Sequence, residues 1–550
     1  MFNLNLKYHM EYLEDIMKTP HLMLTIYLIL IIYFTSHIYY QSILWFPHFK
    51  KKLYDIVLKA PIINNRVSKN LSETEQDIRK KLHQCFKNVK YINKIPENGV
   101  EKISILAISK EYRNIDVKYL NDGKISGCLY HEVDSNLIDI QTELYKMFAY
   151  SNPLHPDVYP SIMKMESEIV RMCCNLYGGD DNSCGTVTTG GTESILLACL
   201  AYRNYAKKSK GILNPEIIIA DSAHAAFLKA GSYFNIQCKI IPTNKETFRL
   251  DPAHVRQAIN GNTIAIVVSA PSYPHGIVDP IEIISEVGLE HDIPVHVDAC
   301  LGGFLVPFLF RAGFHDVIPE EKLFKLTGVT SVSLDTHKYG FAPKGSSVIL
   351  YNEKKYLHSQ YFVATEWMGG MYPSQTLSGS RSGLNIALTW ATLLYYGQNG
   401  YIESTRKIIE SMRYLMNKIK ELKGSLDLKI LGDPKLNVIA LGNDKGIYDV
   451  YDMGQEMSLK GWNLNYLQNP HGIHLCLTHV HTQPGVIDEF LNDLKGCDEI
   501  LKNRSKSPKE QSKNIGALYC FAQSISDQTP LQDVLINGYL DGYYSHPREL

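Results

Sequence analysis

The chain has 550 residues, which is long enough to bury a large core and to form two or more domains. Its 56 basic and 57 acidic side chains give a formal net charge of −1, so it lacks the basic excess of a nucleic-acid-binding protein, and no nucleic-acid partner is expected. Its 11 cysteines show no Cys-x-x-Cys spacing, and Cys and His together show no recurrent metal-ligand pattern. This composition favours a reduced, cytosolic catalytic domain over a disulfide framework, and no metal is predicted.

Residues 1–65 are predicted to form a membrane anchor. Residues 22–45 are almost wholly apolar and aromatic. This stretch is long enough to cross a bilayer as a helix, which takes roughly 20 residues. A cleaved signal peptide is disfavoured because no small-residue cleavage site follows, and a buried core helix because the run is apolar on all faces. The basic run Lys50 to Lys52 follows closely, so the positive-inside rule predicts a single-pass anchor with the C-terminal bulk in the cytosol.

Residues 66–150 are predicted to form an N-terminal segment beside the catalytic part. A helix start is predicted at 72–75, where Ser and Glu precede apolar residues at helical spacing. The segment 123–130 is punctuated by glycines and ends in Tyr130, which by itself favours a core aromatic. His155 follows in a proline-containing loop, where an isolated histidine is more often a structural hydrogen-bonding group.

Residues 151–393 are predicted to form a large α/β domain. Short apolar, β-branched strands alternate with helical stretches such as 161–176 and 384–396. The predicted strands are 217–220, 237–241, 264–269, 295–297, 331–334 and 348–351. This alternation indicates a mostly parallel sheet, in which ligands bind at the carboxyl ends of the strands.

Lys338 lies just beyond the predicted strand 331–334, in the sequence Asp-Thr-His-Lys-Tyr-Gly. Burying a lysine ammonium is costly unless it is paired or neutralised. A partly desolvated lysine is therefore expected to have a lowered pKa, and its free amine can form a Schiff base with an aldehyde, most often that of pyridoxal phosphate (PLP). The alternative is a solvated lysine in a loop after a strand.

Two other stretches match the needs of PLP. Asp298 ends a short buried strand, where a carboxylate would keep the pyridine nitrogen of the cofactor protonated; the alternative is a helix N-cap. It precedes Lys338 by enough residues to lie on a neighbouring strand of the same sheet. The glycine turn at 185–194 opens an apolar helix, and unpaired N–H groups at a helix start suit a phosphate. The turn alone is weakly specific, but turn, acid and lysine in this order indicate a PLP site.

The C-terminal part is predicted to divide into a smaller α+β domain at 394–504 and a linker and tail at 505–550. Within it, helices are predicted at 402–420 and 447–460, strands near 437–441 and 474–478, and a charged, apolar-poor linker at 503–514. The histidines of this part are His471, His474, His479 and His481. They suggest a metal site, but the alternating pattern of the strand favours exposed or core-lining roles for them.

Four motifs carry a family resemblance. They are TTGGTES (188–194), SAHAAF (222–227), HVDACLGGF (296–304) and DTHKYGFAPKG (335–345). Together they resemble fold-type I PLP enzymes of the group II decarboxylase superfamily. The segments SNPLHPD (151–157), PHGIVDP (274–280) and KGWNLN (460–465) are similar to the sphingosine-1-phosphate lyase branch. Leu334 stands where this family usually has alanine, and Ser382 where it usually has proline; neither is a catalytic position.

The resemblance implies a set of site residues. For catalysis it implies Lys338, Asp298 and His224, whose flat ring would stack on the pyridine. Cofactor binding would add Gly191, Thr192, His337, Ser378, Gly379 and Asn152, and binding of the substrate phosphate would involve Tyr130, His155 and Lys344. From the residues alone, His224 is more safely a helix-start histidine, and the loop with Ser378 and Gly379 is equally compatible with a plain surface loop.

The resemblance also implies an activity. The chain is expected to be a PLP-dependent aldehyde-lyase that cleaves the C2–C3 bond of sphingosine 1-phosphate and related phosphorylated sphingoid bases to a long-chain aldehyde and phosphoethanolamine. It is expected to be a homodimer in the endoplasmic reticulum membrane, with residues 66–150 packing on the catalytic dimer. Two alternatives are an amino-acid decarboxylase on the same scaffold, which would hold an α-carboxylate, and a non-catalytic membrane scaffold.

Overall fold

The computed structural model describes residues 61–84, 89, 91–120, 123–132, 134–504 and 529–544. The chain divides into one unit formed by its two ends, up to Ile115 and from Ser505, and a second unit from Asp116 to Arg504. The predicted membrane-spanning residues 22–45 and nearly all of the predicted linker 503–514 lie outside the described residues. Among the helices that the structure describes, none is both long enough and apolar enough to span a bilayer.

The helices are α1 (Pro61–Gln84), α2 (Lys102–Leu120), α3 (Ser135–Phe148), α4 (Pro160–Leu176), α5 (Gly191–Lys210), α6 (Ala226–Phe234), α7 (Pro252–Ala258), α8 (Ile281–Glu290), α9 (Leu309–Ala312), α10 (Lys354–Gln360), α11 (Gly383–Glu421), α12 (Val450–Leu459), α13 (Val486–Asn503), α14 (Thr529–Val534) and α15 (Asp541–Tyr544). Short 3-10 turns lie at Val306–Phe308, Leu323–Lys325 and His479–Thr482, and a π turn at Leu535–Leu540.

The strands are β1 (Cys184–Thr188), β2 (Glu216–Ala220), β3 (Gln237–Ile241), β4 (Thr263–Ser269), β5 (Val295–Asp298), β6 (Val329–Leu334), β7 (Ser347–Tyr351), β8 (Phe362–Ala364), β9 (Tyr372–Ser374), β10 (Leu428–Ile430), β11 (Val438–Asn443), β12 (Asn465–Leu467) and β13 (Gly472–Cys476). They form a seven-stranded sheet, a four-stranded sheet and a β8–β9 hairpin.

The seven-stranded sheet has the order β1-β7-β6-β5-β4-β2-β3. Strands β3, β2, β4, β5 and β6 pair in parallel, whereas β7 runs antiparallel to both β6 and β1. The predicted α/β fold with a mostly parallel sheet is therefore confirmed. Strand β1 was missed, because its glycine and threonines suggest only a turn. Gly185 packs so closely on β7 that an added Cβ would lie 2.3 Å from the carbonyl oxygen of Ile349.

The central strands position the site. Every residue of β4, β5 and β6 is buried, as expected for parallel strands covered on both faces. The register pairs Asp298 at the end of β5 with Ser333 of β6. The prediction that the strands before Lys338 and at Asp298 are neighbours in one sheet is confirmed. The turn that follows β6 therefore begins beside Asp298.

Helix α11 joins the two sheets. It unites the two helices predicted at 384–396 and 402–420, and it bends at Gly397, whose φ of 55° and ψ of −179° are not helical. The hydroxyl of Ser382 caps its start by accepting a hydrogen bond from the Asn385 amide at 3.3 Å. The smaller sheet that follows is antiparallel, in the order β10-β11-β13-β12.

The N-terminal segment differs from the expected pattern. Helix α1 begins at Pro61, not at 72–75, because proline suits a first helical turn, and the Ser-Glu pattern lies inside the helix. Helices α2 and α3 were not predicted, although the carboxylate of Asp134 caps α3 by accepting from the amides of Asn136 and Leu137. At the other chain end, the Gly542 carbonyl lies 2.6 Å from Nε2 of His83, which ties the C-terminal helices to α1.

Candidate active site

Lys338 lies in the turn after β6. Its Nζ is 2.9 Å from Oδ2 of Asp335, a carboxylate that is only 2 % exposed. Burial is the largest single influence and lowers the pKa of Lys338, but the neighbouring acidic groups together, Asp335 foremost, outweigh burial and raise the pKa above its ordinary value. The expected lowering of the lysine pKa is therefore wrong, because Asp335 was not foreseen as its ion-pair partner.

Asp298 projects from the end of β5 into the cavity that Lys338 also lines. Its Oδ1 accepts hydrogen bonds from the Cys300 amide at 3.0 Å and from the Ser333 hydroxyl at 3.4 Å. These bonds hold the carboxylate at the carboxyl end of the parallel strands, where this kind of sheet binds its ligands.

The cavity has a volume of about 250 Å³. Of the predicted site residues, it is lined by Lys338, Asp298, His224 and Tyr130. The other lining residues are Ser126, Gly127, Cys128, Ser269, Pro271, Tyr273, Cys300, Leu301, Asn465 and Cys476. The structure thus brings together Lys338, Asp298 and the imidazole of His224. It adds residues from the N-terminal segment and the smaller sheet.

His224 follows β2, in the short connection to α6. Its Nδ1 accepts a hydrogen bond from the Ala226 amide at 3.1 Å, which fixes the ring orientation. The ring centroid lies 6.5 Å from that of Tyr273, which also lines the cavity, and the two rings meet edge to face. The imidazole is therefore placed as one wall of the cavity.

The glycine turn links β1 to α5. The first amides of a helix lack intrahelical partners and carry the positive end of its dipole, so they suit an anion. An added Cβ at Gly191 would lie 2.7 Å from Oδ1 of Asp335 and 2.8 Å from Sγ of Cys300, so only glycine fits here. Thr192 is exposed in the first turn of the helix.

His337 lies against the same turn, since an added Cβ at Gly190 would be 3.8 Å from its Cε1. Its Nδ1 donates to the Ser346 carbonyl at 2.6 Å, which directs Nε2 toward Asp335, 3.7 Å away. Burial lowers the pKa of His337. The ring is thus fixed between the helix start and the lysine turn.

The predicted substrate-phosphate residues are not all together. Lys344 Nζ lies 4.7 Å from the centroid of the Tyr130 ring, and burial lowers the pKa of Lys344. Tyr130 is 8 % exposed, and burial raises the pKa of its hydroxyl. His155 is exposed and is not among the residues that line the cavity.

Asn152 belongs to a second cluster, built on the loop that carries Ser378 and Gly379. Its Nδ2 donates to Ser380 Oγ at 3.0 Å, and its Oδ1 accepts from the Arg381 amide at 3.3 Å. The same loop is tied to the glycine turn by Glu193, as its Oε1 accepts from the Leu377 amide at 3.2 Å and its Oε2 from the Thr189 amide at 2.7 Å. None of Asn152, Ser378 and Gly379 lines the cavity.

Ser126, Asn465 and Cys476 were missed, although the KGWNLN motif ends at Asn465. Asn465 Nδ2 donates to Ser126 Oγ at 2.8 Å and lies 3.0 Å from Nε2 of His474. His474 is 1 % exposed, its Nδ1 lies 3.0 Å from the carbonyl oxygen of Pro274, and burial lowers its pKa to about 4. His474 therefore supports the cavity wall, and within the described ranges no group of His, Cys, Asp or Glu is arranged to hold a metal.

The residues present fit PLP. A lysine and a carboxylate from adjacent strands face one cavity, an imidazole forms its wall, and a helix start that tolerates only glycine lies beside the lysine turn. These are the groups needed to hold an aldehyde, a ring nitrogen, a flat ring and a phosphate. All cysteines in the described part of the chain are free thiols.

Comparison with known proteins gives concordant findings. Residues 129–440 match the family described as the pyridoxal-dependent decarboxylase conserved domain. The chain is 43 % identical over 505 residues to sphingosine-1-phosphate lyase 1 of Rattus norvegicus, covering 91 % of this chain and 86 % of that protein. It is 43 % identical over 486 residues to the sphingosine-1-phosphate lyase of Drosophila melanogaster, covering 88 % and 87 %. A solved sphingosine-1-phosphate lyase of Burkholderia pseudomallei superposes with a TM-score of 0.72 at 36 % identity, covering 76 % of this chain and 95 % of that one.

Proposed function

The chain belongs to the sphingosine-1-phosphate lyase family, and from this membership we propose that its cavity cleaves the C2–C3 bond of phosphorylated sphingoid bases to a long-chain aldehyde and phosphoethanolamine. The enzyme is a PLP-dependent lyase. The observation that carries the proposal is the placement of Lys338 and Asp298 in one buried cavity at the ends of adjacent parallel strands.

When bound, PLP supplies an aldehyde that captures amines and a ring that accepts the electrons of the breaking bond. Lys338 would hold the cofactor through its amine. Asp298 would keep a proton on the ring nitrogen, because a carboxylate there favours the charged form. His224, oriented through Nδ1, would stack on the ring, and the amides at the start of α5 would bind the cofactor phosphate together with Thr192 and His337.

Tyr130 and Lys344 hold the substrate phosphate. The Lys344 amine lies over the ring of Tyr130, which lines the cavity, and a phosphate dianion is stabilised by an amine and a hydroxyl of this kind. Burial lowers the pKa of Lys344, and a phosphate dianion beside it would raise that pKa again, so phosphate binding would favour the charged amine. The family resemblance implies that His155 binds the same phosphate, and in the single chain its side chain is exposed and lies outside the cavity lining.

The active form is a homodimer in which Ser378 and Gly379 reach the PLP phosphate of the other subunit. Two features support this: their loop lines no part of its own cavity, and Asn152, Arg381 and Glu193 hold it in a defined position. Because the substrate is a membrane lipid, we also propose that residues 22–45 anchor the enzyme in the endoplasmic reticulum membrane with the catalytic unit in the cytosol.

Incubation of the purified enzyme with PLP and sphingosine 1-phosphate tests the function. The expected result is release of phosphoethanolamine and a long-chain aldehyde in equal amounts, detected by mass spectrometry, with none from Lys338→Ala. The same preparation is offered amino acids as decarboxylase substrates. Carbon dioxide release from an amino acid without cleavage of sphingosine 1-phosphate would show that the proposed substrate is wrong.

A further inference from the structure

Asp335 has no role in the mechanism as described, yet it is the group nearest to the amine of Lys338. Its Oδ2 lies 2.9 Å from Lys338 Nζ and 3.7 Å from His337 Nε2, so one carboxylate oxygen faces both nitrogens. Asp335 is 2 % exposed, and its Oδ1 has no hydrogen-bond partner among the described residues. A buried, incompletely bonded carboxylate is costly, which suggests that its charge has a use.

The surrounding atoms fix the carboxylate in place. The start of α5 lies against it, because an added Cβ at Gly191 would be only 2.7 and 2.8 Å from its two oxygens. Its own backbone carbonyl accepts from the Lys338 amide at 3.3 Å, which closes the turn and brings the two side chains together. The helix start therefore bounds the carboxylate on one side, and the turn holds it beside the lysine.

Several other titratable groups face Lys338. They are Cys300 after β5, Tyr130 from the N-terminal segment, Cys476 at the end of β13, Lys344 and His337 from the lysine loop, and Asp298 and His224 on the cavity wall. Burial raises the pKa of the Cys300 and Tyr130 side chains and raises that of Cys476 to about 11. These three groups are therefore neutral near neutral pH, and Asp335 is the anion in contact with the lysine.

We propose that Asp335 is a positioning residue that keeps the free Lys338 side chain protonated and so sets the pH range in which the lysine captures PLP. This inference rests on the proposed cofactor chemistry of Lys338. Capture requires the neutral amine: its nitrogen forms a double bond to the aldehyde carbon, and the aldehyde oxygen leaves as water with the two amine protons. An ammonium has no lone pair for this step, so the contact with Asp335 opposes capture until a base removes a proton.

The same contact has a use during turnover. When a substrate that arrives as an ammonium ion displaces Lys338, its proton would pass to the freed lysine amine, which Asp335 would hold as an ammonium ion. The lysine would then be a proton donor rather than a competing amine. Asp335 thus favours release of the lysine at the start of a cycle and delays its recapture at the end.

The experiment follows PLP capture by full-length protein from which the cofactor has been removed with hydroxylamine. PLP is added at pH values from about 6 to about 10, a range that ends near the ordinary pKa of lysine. The visible absorbance band reports capture, and borohydride reduction followed by mass spectrometry locates the link on Lys338. The variants are Asp335→Asn and, as a matched control, Asp221→Asn, which changes another strand-end aspartate, following β2, whose Oδ1 accepts from the Thr243 amide at 3.1 Å.

In the wild type, the capture rate should keep rising through pH 10. In Asp335→Asn the capture rate should level off at least about one pH unit lower, because removal of an opposite charge lowers the pKa of Lys338 by at least that much. Capture at neutral pH should then be about tenfold faster, since one pH unit corresponds to a tenfold change in the neutral fraction of the amine. Asp221→Asn should behave as the wild type.

Three results overturn the inference. One is an Asp335→Asn profile with the wild-type shape and only a smaller amplitude, which indicates a structural role alone. Another is a wild-type rate that levels off clearly below pH 10, a measurement that decides the matter even if the variant fails to fold. Absence of any PLP on Lys338 of the wild type would refute the cofactor assignment itself, and with it the role of Asp335.

Discussion

Removal of the ion pair between Arg381 and Glu166 tests how strongly the loop with Ser378 and Gly379 is held. Nη1 and Nη2 of Arg381 contact the two carboxylate oxygens at 2.6 and 3.0 Å, and Nη1 also donates to the carbonyl of Val187 at 3.0 Å. The two side chains are only 8 % and 13 % exposed. Arg381→Ala leaves a nearly buried carboxylate and a strand carbonyl without their partner. Breaking such a pair costs about 3–5 kcal/mol, and we expect a loss of about 3 kcal/mol because some water reaches both groups.

Urea unfolding followed by tryptophan fluorescence measures the loss. Arg256→Ala is the matched control, because Arg256 pairs with Glu290 through the same atoms at 39 % and 51 % exposure, where water screens the charges and no measurable loss is expected. The double variant Arg381→Ala with Glu166→Ala should recover part of the stability, because it leaves no lone charge. Equal losses for Arg381→Ala and Arg256→Ala would refute the claim that burial decides the strength of the pair.

The remaining predictions concern the cofactor, the anchor, the dimer and pH. Asp298→Ala should reduce turnover severely while the protein still binds PLP, by weakening ring protonation; wild-type rates would contradict its assigned role. A chain that lacks residues 1–60 should be soluble and active. Loss of turnover in a folded, PLP-loaded preparation would show that these residues contribute to activity and do not only anchor the enzyme. Mixing Lys338→Ala with Gly379→Trp should restore some activity through heterodimers, and no recovery after subunit exchange verified by mass would mean that the loop serves its own subunit. Burial lowers the pKa of His481 to about 4, against about 6.5 in an unfolded chain. The unfolded state therefore binds more protons between these values, and stability should be complete above about pH 6.5 and fall toward pH 4. His481→Asn should reduce the difference between the urea midpoints measured at about pH 7.5 and about pH 5. An unchanged difference would show that other titrating groups, and not His481, cause the loss of stability at low pH.

The parts of the fold that the sequence predicts well are those set by local pattern. The strands of the large sheet from 217 to 351 were placed to within two residues, because buried parallel strands are continuous β-branched runs. Asp298 and Lys338 were recognisable because each follows such a run. The resemblance to a known family added His224, whose own pattern is compatible with a plain helix start.

What was missed depends on where the fold places side chains, which the local pattern does not report. Asp335 is an ordinary turn residue only three positions before Lys338, and the sequence does not show that the turn brings the two side chains to 2.9 Å, so the expected lowering of the Lys338 pKa was wrong. Asn465 and Cys476 reach the cavity only because the smaller sheet folds back against it from a distant part of the chain.

The bent helix α11 has a mechanical consequence. Its first half packs on α3 and α4, and its second half packs on α13 and on the strands of the smaller sheet, so the two sheets are connected through one bent helix instead of a loop. Any relative movement of the two sheets would therefore be concentrated at the non-helical residue Gly397. The segment 123–130 lines one side of the cavity and is fastened to the smaller-sheet part of the chain by a bridge from Ile125 to Asn463 and by the Gly127 amide to the Cys476 carbonyl at 2.9 Å. Hydrogen exchange at the Gly127 amide would therefore report whether this side of the cavity opens when substrate binds.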